Sequence, residues 1–167
     1  GEQINPNLIT KKINLLSRSK EKTLIDASRS ICTTDTFVKT SVHNVSLDNK
    51  NIKVYGFAKG SGMISPNMGT MLAYIFIDCE IAKVNQKKLL SENLEETFNS
   101  ITVDSDTSTS DTVLLVATGR SKHPALNSPH DPKLRDFRRA LDEVMVELAT
   151  QVVRDGEGAS KLVTIEV

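Results

Sequence analysis

The sequence predicts a mixed α/β domain of the α+β kind, with helices and strands in stacked layers. Three observations point there. Residues 40–47 and 52–58 are strand-like runs on either side of the polar cluster Asp48-Asn49-Lys50-Asn51, the signature of a hairpin. Residues 71–77 and 112–117 are short, dense apolar runs of strand length. The stretches between and beyond them repeat apolar residues every three or four positions, which is the helical period. Strands interleaved with helices must bury their apolar faces against one another in layers.

Taken in order, residues 1–20 are polar and lysine-rich, with Pro6 early, and read as a loosely held arm or an interrupted element. Residues 22–32 carry a helical stripe of Leu24, Ile25, Ala27, Ser28 and Ile31, which Thr33, Thr34, Asp35 and Thr36 break. The hairpin follows. The nearly continuous apolar run 71–77 suits a strand buried on both faces. Residues 86–101 are helical, with Leu89, Leu90, Leu94, Phe98 and Ile101 on one face. Residues 121–132 hold Pro124, Pro129 and Pro132 and read as a loop. Asp131-Pro132 fits a helix N-cap with proline at the first helical position. The helix runs to about residue 153, with Leu134, Phe137, Leu141, Val144, Leu148 and Val152 inward, and Asp155-Gly156-Glu157-Gly158 ends it. Residues 161–167, KLVTIEV, alternate as a final strand.

The chain has 167 residues, enough for one domain with a substantial core. Lysine plus arginine and aspartate plus glutamate both number 21, so the net charge is zero. That balance argues against a nucleic-acid partner, which calls for a basic excess. The absence of tryptophan and the 4% aromatic content disfavour base-stacking surfaces. No apolar run reaches the roughly 18 residues of a membrane span, and the N-terminus lacks a basic-then-apolar signal. The expected setting is the cytoplasm, with no membrane. Cys32 and Cys79 are too few for a disulfide framework and read as reduced, buried small residues.

The segment 59–72, KGSGMISPNMGTML, is the candidate for chemistry, although by spacing alone a Gly-Thr pair before a strand is more often an ordinary turn. A glycine-loosened loop runs into Gly69-Thr70, and the apolar run starts directly afterwards. This is the arrangement a self-cleaving precursor with an N-terminal threonine nucleophile requires. Thr70 Oγ can attack the Gly69 carbonyl, where the absent side chain leaves room for a tetrahedral intermediate. Cleavage would free a Thr70 α-amino group, with a reference pKa of about 7.7–8.0, as a general base beside its own hydroxyl.

This loop resembles the cleavage and nucleophile segment of the ornithine acetyltransferase family, the bifunctional ArgJ-type enzymes of arginine biosynthesis. Residues 32–37 (CTTDTF), 98–112 (FNSITVDSDTSTSDT) and 153–161 (VRDGEGASK) resemble the same family in the same order. The resemblance implies a layered α/β sandwich similar to N-terminal-nucleophile folds. It also implies an enzyme that moves an acetyl group from N2-acetylornithine to glutamate through an acetyl-threonine intermediate. No metal or organic cofactor is implied, although acetyl-CoA stands as an alternative acetyl donor.

Residue by residue, the resemblance makes Thr70 the catalytic nucleophile and Gly69-Thr70 the cleavage site. Thr33, Lys59, Thr70 and Glu157 become substrate-binding residues. Lys59 would pair with a substrate carboxylate and Glu157 would receive a cationic amino group. The cut would divide the chain into residues 1–69, the end of an α-chain-like segment, and residues 70–167, the start of a β-chain-like one. Cleaved chains and a homo-oligomer are the implied assembly, with N-acetylornithine and glutamate as small-molecule partners. The chain corresponds to the middle of the family's length, so an oxyanion hole upstream and further binding residues downstream are expected outside it. The Thr118-Gly119 pair is like the family's oxyanion pair in type but lies elsewhere.

Asp104, Asp106 and Asp111 do not form a calcium loop. Thr109 stands where the glycine is needed and Leu115 where the bidentate glutamate is needed. They read instead as turn carboxylates that cap the next element and buttress the site. His43, His123 and His130 lack metal-ligand spacing and read as surface residues. Two other readings stay open: a self-cleaving N-terminal-nucleophile amidase or aminopeptidase, with water as acceptor, and an inactive segment that serves as a packing or assembly unit.

Overall fold

The computed structural model describes residues 3–18, 23–64, 71–106, 108–121, 128 and 130–166. In chain order the elements are α1 (Pro6–Arg18), α2 (Leu24–Ile31), β1 (Lys39–Leu47), β2 (Lys50–Lys59), β3 (Leu72–Ile77), α3 (Lys83–Glu95), β4 (Thr112–Ala117) and α4 (Arg135–Arg154), with 3-10 turns at Phe98–Ser100 and Pro132–Leu134. The strands form one sheet in the order β1-β2-β3-β4. β1 pairs with β2 and β2 with β3 in antiparallel fashion, and β4 is parallel to β3. A parallel pair needs a long crossover, and α3 supplies it.

The hairpin joins β1 to β2 through two residues only. Asp48 and Asn49 have φ of 47° and 59°, the left-handed pattern of the tight turn whose twist matches its strands. α2 starts at Thr23, which makes a reciprocal capping box with Asp26. It ends at Cys32, as its stripe predicts.

The core lies between α4 and one sheet face. Ile52, Val54 and Ala58 of β2 and Ala73, Ile75 and Ile77 of β3 are fully enclosed there, facing Phe137, Leu141, Val144, Met145, Leu148 and Val152. α4 lies so close to β2 that residue 56 must be glycine. A Cβ there would sit 2.9 Å from the Tyr74 carbonyl oxygen and 3.0 Å from Leu148 Cδ1.

Four expectations are corrected. Residues 6–18 form a regular helix, because Pro6 is suited to the first helical turn and Asn5 Oδ1 accepts the Asn7 N–H at 3.0 Å. β3 is enclosed on one face only, and its alternate residues are half-buried. Tyr55, Phe57, Tyr74 and Phe76 stack across that second face, with ring centroids 5.2–6.1 Å apart. The helix expected over 86–101 runs from Lys83 to Glu95, and Phe98 reaches the core from a 3-10 turn instead. Residues 161–166 join no strand ladder, and Val163 and Ile165 are exposed. Alternation prepares two faces for a strand, but a ladder also needs a neighbour to bond with. Asp131 does accept the Lys133 N–H, at 3.0 Å, with Pro132 next to it. Their cap opens a 3-10 turn, and α4 begins at Arg135.

Candidate active site

β2 ends at Lys59, and its register sets Lys59 opposite Leu72, the first residue of β3. Lys59 is therefore fixed by the sheet beside the start of the strand that follows the Gly69-Thr70 junction. Its side chain is buried, and its ammonium makes no hydrogen bond or ion pair with the described residues. A cation held in place with no hydrogen-bond partner among the described residues is available to an anionic ligand.

The residues after Lys59 are tied to two distant segments by a buried polar knot. The Asp35 carboxylate accepts the Gly60 N–H at 2.8 Å, the Thr33 N–H at 3.1 Å and the Lys39 ammonium at 2.6 Å. The same ammonium reaches Asp155 at 2.5 Å, and Asp155 also accepts the Thr36 N–H at 2.9 Å and the Thr36 hydroxyl. The Lys39 and Asp35 side chains are wholly inaccessible to solvent. Burial alone would raise both carboxyls. For Asp35 the Gly60, Lys39 and Thr33 donors outweigh burial, and for Asp155 the Lys39 and Thr36 donors do, so both lie below the ordinary value. A second tie closes the ring. Thr34 Oγ1 and Ser61 Oγ are 2.6 Å apart, and the Glu157 N–H donates to the Ser61 carbonyl at 2.6 Å.

Between these segments lies an open hollow of about 380 Å³, lined by Thr34, Thr36, Ser61, Asp155 and Glu157 among others. Gly62 lets the Glu157 carboxylate approach, since a Cβ at residue 62 would sit 2.8 Å from Glu157 Oε2. Hydroxyls, a carboxylate and backbone amides here could grip a small polar molecule carrying an amino group.

The acidic loop at 102–112 meets the same segment. Asp104 accepts the Met63 and Ile64 N–H groups at 2.6 and 3.0 Å, and Asp111 accepts the Met71 N–H at 2.7 Å. Burial would raise the Asp104 carboxyl, but N–H donors from Met63, Asp106 and Ile64 bring it below its usual value. Asp111 is raised by burial, with the Met71 bond and the Lys59 charge pulling partly back.

Of the residues singled out from sequence, Lys59 and Glu157 flank the 60–62 turn, Glu157 through its backbone bond to Ser61. Thr33 sits exposed at the rim and gives its N–H to Asp35, while its neighbours Thr34 and Thr36 line the hollow. Gly69 and Thr70 lie outside the described residues, as does His123. His43 bridges Glu143 and Glu147, and His130 faces Glu92, all at the surface. Asp35, Lys39, Ser61 and Asp155 are the organising residues that sequence reasoning passed over. Asp35 and Asp155 stand inside two of the motif segments. Lys39 gives no signal, because a lysine opening a strand reads as solvated.

The sequence matches the ArgJ family profile over residues 1–167. The chain belongs to the ArgJ family. The arginine biosynthesis bifunctional protein ArgJ of Ruegeria pomeroyi is 48% identical over 168 residues, spanning 100% of this chain and 40% of that protein. The Gluconobacter oxydans protein of the same name is 48% identical over 142 residues, spanning 85% of this chain and 34% of that protein. A crystal structure of the Bacillus halodurans ArgJ protein matches with a TM-score of 0.52 at 42% identity, over 55% of this chain and 43% of that one. The chain thus spans between about a third and two-fifths of the length of these ArgJ relatives. The layered α/β class expected from the sequence is the architecture of this ArgJ segment.

Proposed function

We propose that this segment carries the nucleophile and part of the substrate site of an acetyltransferase that moves an acetyl group from N2-acetylornithine to glutamate. The observation behind this reading is the convergence of the three other motif segments on the 60–64 turn, with the buried Lys59 making no hydrogen bond among the described residues. In this reading a cut between Gly69 and Thr70 separates residues 1–69 from residues 70–167 and frees the Thr70 α-amino group. Thr70 Oγ then attacks the acetyl carbonyl while its own amine takes the hydroxyl proton. The C–N bond breaks, ornithine leaves with that proton, and an acetyl ester remains on Thr70. The glutamate amine attacks the ester, N-acetylglutamate departs, and the hydroxyl is restored.

Lys59 pairs with the carboxylate that donor and acceptor share, Glu157 receives the ornithine amino group, and Thr33 closes the rim. The chemistry needs no cofactor, and acetyl-CoA is an alternative donor to the same threonine. The two cleaved pieces stay together and assemble with further copies.

The test is the intact mass of the purified chain beside Thr70→Ala. Two fragments meeting at Gly69|Thr70 in the parent and one whole chain in Thr70→Ala are expected, with slow cutting in Thr70→Ser. Acetyl transfer is read after splicing the segment into the matching region of the Ruegeria pomeroyi relative. A cut Thr70→Ala chain, or full transfer by the spliced protein carrying it, would overturn the reading.

A further inference from the structure

One loop holds both flanks of the stretch 65–70. Upstream, Asp104 takes the Met63 and Ile64 N–H groups at 2.6 and 3.0 Å. The Ile64 carbonyl in turn accepts the Val103 N–H at 2.8 Å and the Thr102 hydroxyl at 3.0 Å. Met63 has φ of 56°, a left-handed conformation that non-glycine residues seldom adopt unless their surroundings impose it. Downstream, Asp111 Oδ1 takes the Met71 N–H at 2.7 Å, and the Thr112 N–H donates to the Met71 carbonyl at 3.0 Å. Both backbone groups of the residue after Thr70 are thereby clasped by one dipeptide. Met71 is itself buried.

We propose that Asp104 and Asp111 are positioning residues for the cut at Gly69|Thr70, and that Asp111 goes on to hold the freed Thr70 in place for acyl transfer. The inference rests on the function proposed above. In the cut, the Thr70 hydroxyl adds to the Gly69 carbonyl and the C–N bond breaks. The hydroxyl proton passes to the freed amine and a Gly69–O–Thr70 ester forms. Water then hydrolyses the ester to the Gly69 carboxylate and restores the hydroxyl. The attack needs hydroxyl and carbonyl carbon within about 3–3.5 Å, and pinning both ends of a six-residue stretch limits the geometries it samples.

After the cut, Gly69 becomes a chain end and Thr70 a new N-terminus. Chain ends fray unless something ties them down. The Met71 clasp lies one peptide bond from Thr70, so it limits how far the free amine and hydroxyl can wander. Asp111 serves here as a hydrogen-bond acceptor, and the amide oxygen of asparagine can do the same.

The test compares Asp104→Ala, Asp111→Ala and Asp111→Asn with the parent 167-residue chain. Amide hydrogen exchange reads the clasp whether or not the chain cuts. Asp111→Ala is expected to speed exchange at Met71 by about tenfold or more, with the Ile75 and Val54 amides unmoved, and Asp111→Asn to stay near the parent. Asp104→Ala should do the same at Met63 and Ile64. In the spliced relative, Asp111→Ala is expected to slow the cut and to lower kcat by about 10²-fold with KM little changed. Asp111→Asn should restore both, and Asp104→Ala should slow the cut more than the transfer. Parent-like exchange at Met71 in Asp111→Ala, or no rescue by asparagine, would overturn the proposal. Parent-like cutting and transfer by Asp111→Ala, with Thr70→Ala still whole, would overturn it and leave the parent reading intact.

Discussion

α4 binds the sheet in two different ways along its length. Its first four turns lie over β1 and β2 and press Phe137, Leu141, Val144 and Leu148 into an apolar, close-packed seam, edged by Glu143 and Glu147 on His43 and Ser41. Its end is polar. Gln151 accepts the Thr40 N–H and donates to the Thr40 carbonyl, both at 3.1 Å, as a neighbouring strand would. One turn on, Asp155 closes on Lys39 and Thr36. The apolar half gives cohesion that tolerates reshaping, because dispersion and burial are non-directional. The polar half gives none unless every donor and acceptor is matched, but when matched it fixes the 60–62 turn in one arrangement. The hollow lies at the polar end.

The sharpest break in that contrast is Lys39→Met. It leaves two buried carboxylates without their cation and should cost about 3–5 kcal/mol in chemical denaturation. The pH dependence checks the cause. Asp35 and Asp155 sit below the usual carboxylate value, so in the parent they stabilise the fold above that range, and this is lost as pH falls through their folded values. In Lys39→Met, burial without a cation favours the protonated acids, so acidification should stabilise. Opposite slopes of Tm below about pH 5 are expected, and parallel slopes would show that Lys39 does not hold these acids ionised. Asp111, raised by burial, contributes the opposite sign in both proteins and cancels from the comparison.

Leu148→Ala, in the apolar half, should cost about 3 kcal/mol and leave the pH profile of stability unchanged. Lys59→Ala and Glu157→Ala should barely alter Tm. In the spliced relative they should weaken N-acetylornithine or glutamate binding by about 1.5–3 kcal/mol each, read from steady-state kinetics. The smallest effect is expected far from both halves. Asn49→Gly in the hairpin turn relieves a left-handed non-glycine and should raise stability by about 0.5 kcal/mol.

The same contrast explains what the sequence disclosed. Helix and strand periods place α2, α4, β1 to β4 and nearly all of the core, because burial on a regular element leaves a periodic mark. The polar knot leaves none. Lys39 pairs with residues 4 and 116 positions away, and only the closed sheet brings them together. The final strand failed for a related reason. KLVTIEV has the right alternation, but strand formation is settled by a neighbour that the local pattern does not encode. At the candidate site, Lys59 and Glu157 stand in motif segments that the sequence singles out, and the fold sets both beside the 60–62 turn. Ser61, Thr34 and the amide-binding role of Asp104 and Asp111 emerge only once the turn is folded.

The two cysteines differ in a way that a chemist can use. Cys79 is sealed in the core, its thiol pushed up to about 12 by burial, so almost none of it is thiolate at neutral pH. Cys32 is only half-buried, beside Thr33 at the rim, with its thiol raised more modestly by burial and by Asp35. A maleimide or iodoacetamide dye should therefore modify Cys32 well ahead of Cys79 in the folded chain. The protein carries its own single-site attachment point two residues before Thr34, which lines the hollow, so a fluorophore there would test for the arrival of a small molecule without any engineered residue.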